Sequence, residues 1–585
     1  MEQHGGALIG KVLAEHGVGA LFNLCGGHIS PILQGAKAHG LRVIDVRDEV
    51  SAAFAADAAS RMTGGVGVCA VTAGPGVTNT VTAVKNAQEA QQPILVFGGA
   101  TATVLRGRGS LQDIDQLSIM KPITKWAARC SKVGDLVPMV RRAIRVAASG
   151  VPGPVFLEIP VDVLYPKSIV AEWYGKESGV DAMKGAAGAA ARVAMKGYLE
   201  HQFGTPNLTT APLEGLTRAF RQEDAHARDS DVIAVAQALR SAKRPVLVMG
   251  NQAMVNLSPS DAAELAKDVG RLGVPTFLGG SSRGLLGTEH PIWFRHKRSK
   301  ALREADFVLI AGFPFDFRLG YGLKINRDAH LVSVNLDKGA LTKNRRPTRG
   351  VLAHPGVFLR QLVAHGTAGS IEPWIAQLRA REEARDAEIA GGARTDGPLV
   401  DPVHFFQRVE AQLDDDSILI VDGGDFVATG SYIVRPRKPL SWLDPGVFGT
   451  LGVGGGFALG AHVARPDAEV WLFYGDGSSA YSIAELDTCL RSGFAPICVI
   501  GNDASWQQIA RDQVKLLGDP VGTVLRRTDY HRVAEGYGAK GLLLDRADAV
   551  DDVIQEAKAT AKAGTPVCIN VHLASSDFRE GSMSI

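Results

Sequence analysis

Short runs of apolar, often β-branched residues alternate along most of the chain with Ala-rich segments of helical period. Val43-Ile44 precedes a helical stretch at 50–62, the run 66–72 precedes another at 77–89, and a further apolar run follows at 94–97. This alternation predicts parallel sheets wrapped by helices, the α/β class. The first block closes at Gly153-Pro154-Val155-Phe156-Leu157-Glu158-Ile159-Pro160, which reads as a buried strand stopped by proline. From 167 to about 230 the pattern weakens and fills with Gly, Ala and Pro, apart from a helical stretch at 189–201. A second block opens at Arg244-Pro245-Val246-Leu247-Val248-Met249-Gly250 and continues through strands at 307–311 and 331–335. A charged helix at 375–389 and a Gly/Pro stretch at 391–402 precede a third block, which opens at Ile418-Leu419-Ile420-Val421-Asp422. The expected organisation is three doubly wound parallel-sheet domains at 1–185, 230–370 and 402–585, with no short-period repeat. Between them lie a linker with room for an ordered insertion at 186–229 and a linker helix at 371–401.

Composition narrows the partners. With 63 basic and 61 acidic residues the formal charge is +2, and no basic block or aromatic-basic stripe marks a nucleic-acid footprint. A small-molecule partner is expected instead. The six cysteines are scattered without a CxxC pair, which reads as reduced thiols in a cytoplasmic protein. Glu2, Lys11 and Glu15 break up the N-terminal stretch 1–17, so it reads as an amphipathic helix and not as a signal peptide. No run approaches the roughly 20 apolar residues that span a bilayer, and no membrane association is expected.

The densest chemistry lies in the third block. An apolar run at 470–474 ends in Gly475-Asp476-Gly477-Ser478, a helix-like stretch follows at 482–492, and a second strand at 496–500 ends in Gly501-Asn502-Asp503-Ala504-Ser505. Both acidic side chains therefore sit at carboxyl ends of strands, where open α/β sheets bind ligands. Glycines let backbone amides approach a phosphate, and a helix N-terminus just beyond favours negative charge. Two carboxylates, a backbone carbonyl and phosphate oxygens make a hard oxygen shell suited to Mg²⁺. A lone Gly-Asp-Gly also makes plain turns; the second acidic loop one strand-helix-strand step later argues for a cofactor.

These two loops resemble those of the thiamine diphosphate enzymes of the acetolactate synthase-like superfamily, whose hallmark is Gly-Asp-Gly followed one such step later by Asn-Asn. Here the second pair is Asn502-Asp503, so a carboxylate stands where the family places an amide ligand. The resemblance implies a fold of pyrimidine-binding, middle and diphosphate-binding domains. It also implies metal ligation by Asp476, Asp503 and the backbone oxygen of Ser505, with Gly475, Gly477 and Ser478 at the cofactor. The family's essential glutamate opens a Glu-x-x-Ala-x-x-x-Ala helix, matched by Glu49, Ala52 and Ala56, and would hold the pyrimidine ring nitrogen. Taken alone, an acidic pair such as Asp48-Glu49 before a helix is ordinary capping chemistry. In the glycine-rich stretch 449–461, Gly449 and Leu451 would meet the pyrimidine, Leu451 as an apolar prop, and Asp425 in Asp422-Gly423-Gly424-Asp425 would reach the diphosphate.

The segments 26–31, 45–50, 72–87, 111–117, 277–287, 316–322 and 577–582 resemble 2-hydroxyacyl-CoA lyases of the same superfamily. The first block and residues 475–506 are also similar to benzaldehyde lyase, in which a His and a Gln at the positions of His28 and Gln112 act on the substrate. The implied activity is cleavage of a 2-hydroxyacyl-CoA to an aldehyde and formyl-CoA, with Glu49, His28 and Gln112 catalytic and Trp506 and Gln507 near the substrate. The alternative is a carboligase of the acetolactate synthase or benzaldehyde lyase kind; a non-catalytic scaffold is the remoter reading. The stretch 312–318 departs at Pro314 from the Gly-x-Arg-x-Asp-x-Arg of acetolactate synthases, which counts against FAD. Arg283, Lys338 and Arg345 are candidates for the CoA phosphates. The family builds each site from the first domain of one chain and the third of another, so a homodimer or homotetramer is expected.

Overall fold

A computed structural model describes residues 4–177, 179–204 and 226–581. Residues 205–225 of the expected 186–229 linker and Ser582 of the tail segment lie outside the described residues. Among the described residues eighteen strands form three six-stranded sheets, and every pairing between these strands is parallel. The first sheet comprises β1 (Ala20–Asn23), β2 (Arg42–Asp45), β3 (Gly67–Val71), β4 (Ile94–Ala100), β5 (Trp126–Arg129) and β6 (Val155–Pro160), in the order 2-1-3-4-6-5. The middle sheet comprises β7 (Pro245–Met249), β8 (Thr276–Leu278), β9 (Trp293–Phe294), β10 (Phe307–Ala311), β11 (His330–Asn335) and β12 (Arg349–Leu352), in the order 12-11-10-7-8-9. The third comprises β13 (Ile418–Val421), β14 (Trp442–Leu443), β15 (Val470–Gly475), β16 (Ile497–Asn502), β17 (Lys540–Leu544) and β18 (Val567–His572), in the order 14-13-15-16-18-17.

The first and third sheets thus share one topology. In each, the chain leaves its first strand toward one edge and its third toward the other, so the connections diverge between β1 and β3 and between β13 and β15. That divergence opens a crevice at the carboxyl ends of the strands. The middle sheet reverses between β7 and β10, the dinucleotide-binding strand order. Central strands β3, β4, β6, β7, β10, β13, β15 and β16 are buried along their whole length, as strands covered by helices on both faces must be.

Although there are three sheets, the chain forms two compact units, one built on the first sheet and one on the other two. Within the second unit the middle and third sheets are joined at short range. Arg283 donates to the Ser431 carbonyl at 3.0 Å and covers the Trp442 ring at 4.5 Å. A Cβ on Gly284 (φ 82°) would lie 2.3 Å from the Lys438 carbonyl oxygen. The charged linker helix runs Glu372–Gly391, and its Glu382 accepts the backbone N–H groups of Arg295 and His296 at 3.1 and 2.9 Å.

In the first unit, helices Gly5–Glu15 and Ser30–Ala38 touch backbone to backbone. A Cβ on Gly10 would sit 2.2 Å from the Gly35 carbonyl oxygen, and one on Gly35 would sit 2.0 Å from that of Gly6. In an open helix Gly→Ala is worth up to about 1 kcal/mol of stability. Here backbone faces the added methyl, so overpacking decides the sign, and Gly10→Ala is expected to destabilise by about 1–3 kcal/mol. The check is the unfolding midpoint followed by circular dichroism.

Candidate active site

The carboxyl ends of β1, β2, β3 and β4 bring together the residues that the sequence assigns to catalysis. Glu49 is the first residue of helix Glu49–Thr63 and only 7% exposed; its Oε2 accepts from Asn79 Nδ2 at 2.9 Å. Gly76 lets the next turn come close, because a Cβ there would lie 2.9 Å from Thr72 Cγ2 and 3.5 Å from Glu49 Oε1. His28 Nδ1 lies 3.2 Å from Thr72 Oγ1, and a Cβ on Gly99 would lie 2.5 Å from the His28 Cβ. Burial lowers the His28 pKa, so the imidazole is neutral at neutral pH and free to accept a proton. Gln112 adopts a left-handed backbone (φ 63°) beside Gly74 (φ 64°), where a Cβ would meet the Gln112 Cβ at 2.9 Å. A non-glycine residue held there is a strained position of the kind that collects at functional sites.

One buried amide ties the ends of β3, β4 and β6 together. Gln116 Oε1 accepts the Gly74 N–H at 2.8 Å, while its Nε2 donates to the Gly99 carbonyl at 3.0 Å and to Glu158 Oε2 at 3.1 Å. Glu158, fully buried on β6, is neutralised by an ion pair with Arg129 on β5. Gln112 and Gln116 also line a cavity of about 300 Å³ whose wall carries Arg106, Arg129 and Lys132.

The second unit assembles the other expected set at the carboxyl ends of β13, β15 and β16. Asp422 accepts the N–H groups of Gly452 and Gly454 at 2.9 and 2.8 Å, which clamps the glycine-rich loop; burial pushes its pKa up to about 7. Gly449 has φ 66° with open space on its Cβ side. Leu451 leans on Gly423, where a Cβ would lie 2.1 Å from its Cδ2. Ser478 Oγ donates to the Gly423 carbonyl at 2.9 Å, and a Cβ on Gly475 would lie 2.9 Å from that same oxygen.

Asp476, 2% exposed, receives the Gly477 N–H on Oδ1 at 2.8 Å, whereas its buried Oδ2 has no hydrogen-bond partner among the described residues. The left-handed turn at Ala504 (φ 58°) lets Asp503 Oδ1 accept the Ser505 N–H at 3.1 Å. Burial pushes Asp476 up to about 6; burial, and then the Asp476 charge, push Asp503 up to about 7. A divalent cation would relieve both carboxylates and satisfy the orphaned Oδ2, so these residues fit the implied metal. The glycines of the Asp422 and Asp476 loops leave backbone open to a diphosphate.

The remaining expected residues take other places. Trp506 packs its indole over Gly477, where a Cβ would lie 2.5 Å from the ring, so it walls the Gly475-Asp476-Gly477 loop. Gln507 opens helix Gln507–Leu517, and Asp425 is ion-paired with Arg511 on that helix. Two of the three cations suggested for CoA are committed elsewhere: Arg283 to the joint described above, and Arg345 to the carbonyls of Gly322, Ile325 and Asn326 at 2.7, 2.8 and 2.8 Å. Lys338 is exposed. In the middle crevice a Cβ on Gly250 would lie 2.7 Å from the Phe313 ring, and Arg318 is held by Asp316 and by that ring. Thr72, Asn79, Gln116 and Arg511 escape the sequence reading. Asn79 alone carried a signal, lying in a Gly/Thr-rich turn that opens a helix.

Comparison with known proteins agrees with this layout. Residues 3–119 match the N-terminal TPP binding domain of thiamine pyrophosphate enzymes, 232–362 the central domain and 422–571 the C-terminal TPP binding domain. The chain is 45% identical to 2-hydroxyacyl-CoA lyase 2 of Danio rerio, over 100% of this chain and 94% of that protein. Against 2-hydroxyacyl-CoA lyase 2 of Homo sapiens it is again 45% identical, over 100% and 92%. Acetolactate synthase large subunit IlvG of Mycobacterium tuberculosis is 32% identical, over 97% and 95%.

The Asp422 clamp generates a direct test. Asp422→Ala leaves two buried N–H groups without an acceptor, at about 1–3 kcal/mol each. A lower thermal midpoint and weaker thiamine diphosphate binding are expected, with Asp422→Asn, which keeps one acceptor, lying between.

Proposed function

Because the chain belongs to the thiamine pyrophosphate enzymes, we propose that it is a carbon-carbon lyase that cleaves a 2-hydroxyacyl-CoA to an aldehyde and formyl-CoA. The observation that carries this reading is the grouping of Glu49, His28 and Gln112 at one set of strand ends, in a chain similar along its whole length to 2-hydroxyacyl-CoA lyases. In the reaction the bond between C1 and C2 breaks, the 2-hydroxyl loses its proton and C1 gains one. No oxidant or reductant is needed.

When bound, thiamine diphosphate supplies the nucleophilic carbon and the electron sink for cleavage beside a carbonyl. The chain supplies the rest. Glu49, aimed by Asn79, would hold the pyrimidine ring nitrogen, and its burial keeps water from competing for that bond. Asp476, Asp503 and the Ser505 backbone would hold Mg²⁺, while Leu451 would support the cofactor from below. His28 takes the 2-hydroxyl proton; Thr72 fixes its ring and burial keeps it neutral beforehand. Gln112 orients the substrate oxygens. Arg106 and Lys132, lining the same cavity as Gln112, suit a substrate that carries phosphates.

The assembly we propose is a homodimer or homotetramer in which each site combines first-sheet residues of one chain with third-sheet residues of another. Exposed Leu516, Leu517, Val521 and Val524, beyond the Asp503 loop, support a covering partner. Six unpaired cysteines support a reducing, cytoplasmic setting. Among the described residues no helix is long and apolar enough to cross a membrane.

Incubation with thiamine diphosphate, Mg²⁺ and a medium-chain 2-hydroxyacyl-CoA should yield the aldehyde and formyl-CoA by mass spectrometry. Glu49→Gln should abolish both products; their absence from the wild type with cofactor bound would redirect the reading to 2-keto acids and acyloins. His28→Ala should lower kcat about 10²–10⁴-fold while cofactor affinity stays. Because burial lowers the His28 pKa, the neutral base persists to below its ordinary 6.5. The acid limb of kcat/KM should therefore lie below that pH and vanish from the residual rate of His28→Ala.

A further inference from the structure

On the thiamine diphosphate reading Asp425 stands in the loop that would meet the cofactor's diphosphate, and a carboxylate there would repel it. Asp425 follows Gly424, whose Cβ position lies 3.2 Å from the Gly475 Cα, so it shares the crevice of Asp476. Its charge also reaches Asp503. Position 503 adds a second negative charge, since the family pattern has an amide there. Three carboxylates thus converge where a diphosphate and one divalent cation, together still anionic, must be received. Something permanently cationic has to balance them.

Arg511 answers to that description. It projects from helix Gln507–Leu517, directly after the Asp503 loop, and its guanidinium forms an ion pair with Asp425. Both side chains are largely buried, at 14% and 10% exposure. Among the described residues the guanidinium has no hydrogen bond to any group besides Asp425. A planar five-donor cation suits a phosphate, and one anchored on a single carboxylate keeps donors in hand.

Resting on the thiamine diphosphate reading above, we propose that Arg511 is a cofactor-binding residue that donates to the diphosphate, and that Asp425 is the carboxylate that aims it. The competing role is purely internal, with Arg511 present only to neutralise Asp425. The two differ in what happens when both charges are removed together.

The experiment is a calorimetric titration of the full-length protein with thiamine diphosphate at fixed Mg²⁺, for wild type, Arg511→Gln, Arg511→Lys and the double variant Asp425→Asn/Arg511→Gln. The double variant is close to isosteric and leaves no unpaired buried charge, so its fold is retained. Arg511→Gln and the double variant should each bind about 10- to 100-fold more weakly, the loss typical of charge-assisted hydrogen bonds, with Arg511→Lys between them and wild type. Wild-type affinity in the double variant would overturn the proposal and leave Arg511 as a neutraliser. Wild-type protein that fails to bind thiamine diphosphate would instead remove the functional reading, and this inference with it.

Discussion

Parallel strands cannot be joined by tight turns, so each crossover returns the chain to the same edge and every strand of a sheet ends on one side. The rest of this structure depends on that constraint. It collects the loops after β1, β3 and β4 on one rim, and those after β13, β15 and β16 on another. Where the strand order reverses, neighbouring loops part, and groups distant in sequence meet. His28 and Thr72 are 44 residues apart and in contact, as are Asp422 and Gly454 at a separation of 32.

Rims of this kind are costly to line with carboxylates, and the chain lines both. The first rim answers with amide donors and one cation: Asn79 holds Glu49, and Gln116 together with the Arg129 guanidinium satisfies Glu158. The third-sheet rim answers differently. Asp422 takes two backbone N–H groups and is still pushed up to about 7, and Asp476 and Asp503 raise each other's cost of ionisation. Such a pair is costly to keep buried, since two hydrophobic side chains would be more stable there, and its donors suit a cation.

The α/β class, the central strands and both acidic loops were legible in the chain because central parallel strands are continuous apolar runs bounded by glycine, and the acidic residues follow them directly. The edges were not. Five of the six outer strands, β5, β9, β12, β14 and β17, are short or mixed in polarity, such as Trp126–Arg129 and Lys540–Leu544, because one side of an edge strand meets solvent or loops. Arg283 and Arg345 illustrate the same limit for charge. Read along the chain they are free cations; in the fold one clamps two sheets and the other caps three carbonyls.

The sequence by itself determined the α/β class, the central strands and the two acidic loops that carry Asp476 and Asp503, since period and motif spacing are local properties; Glu49, His28 and Gln112 were named by resemblance. Only the tertiary structure decided how those side chains are held. Trp506 turned out to wall the Gly477 loop, Asp425 to bind Arg511, and Gln116 to tie three strand ends, because hydrogen bonds and ion pairs join residues whose proximity exists only after the crossovers have closed.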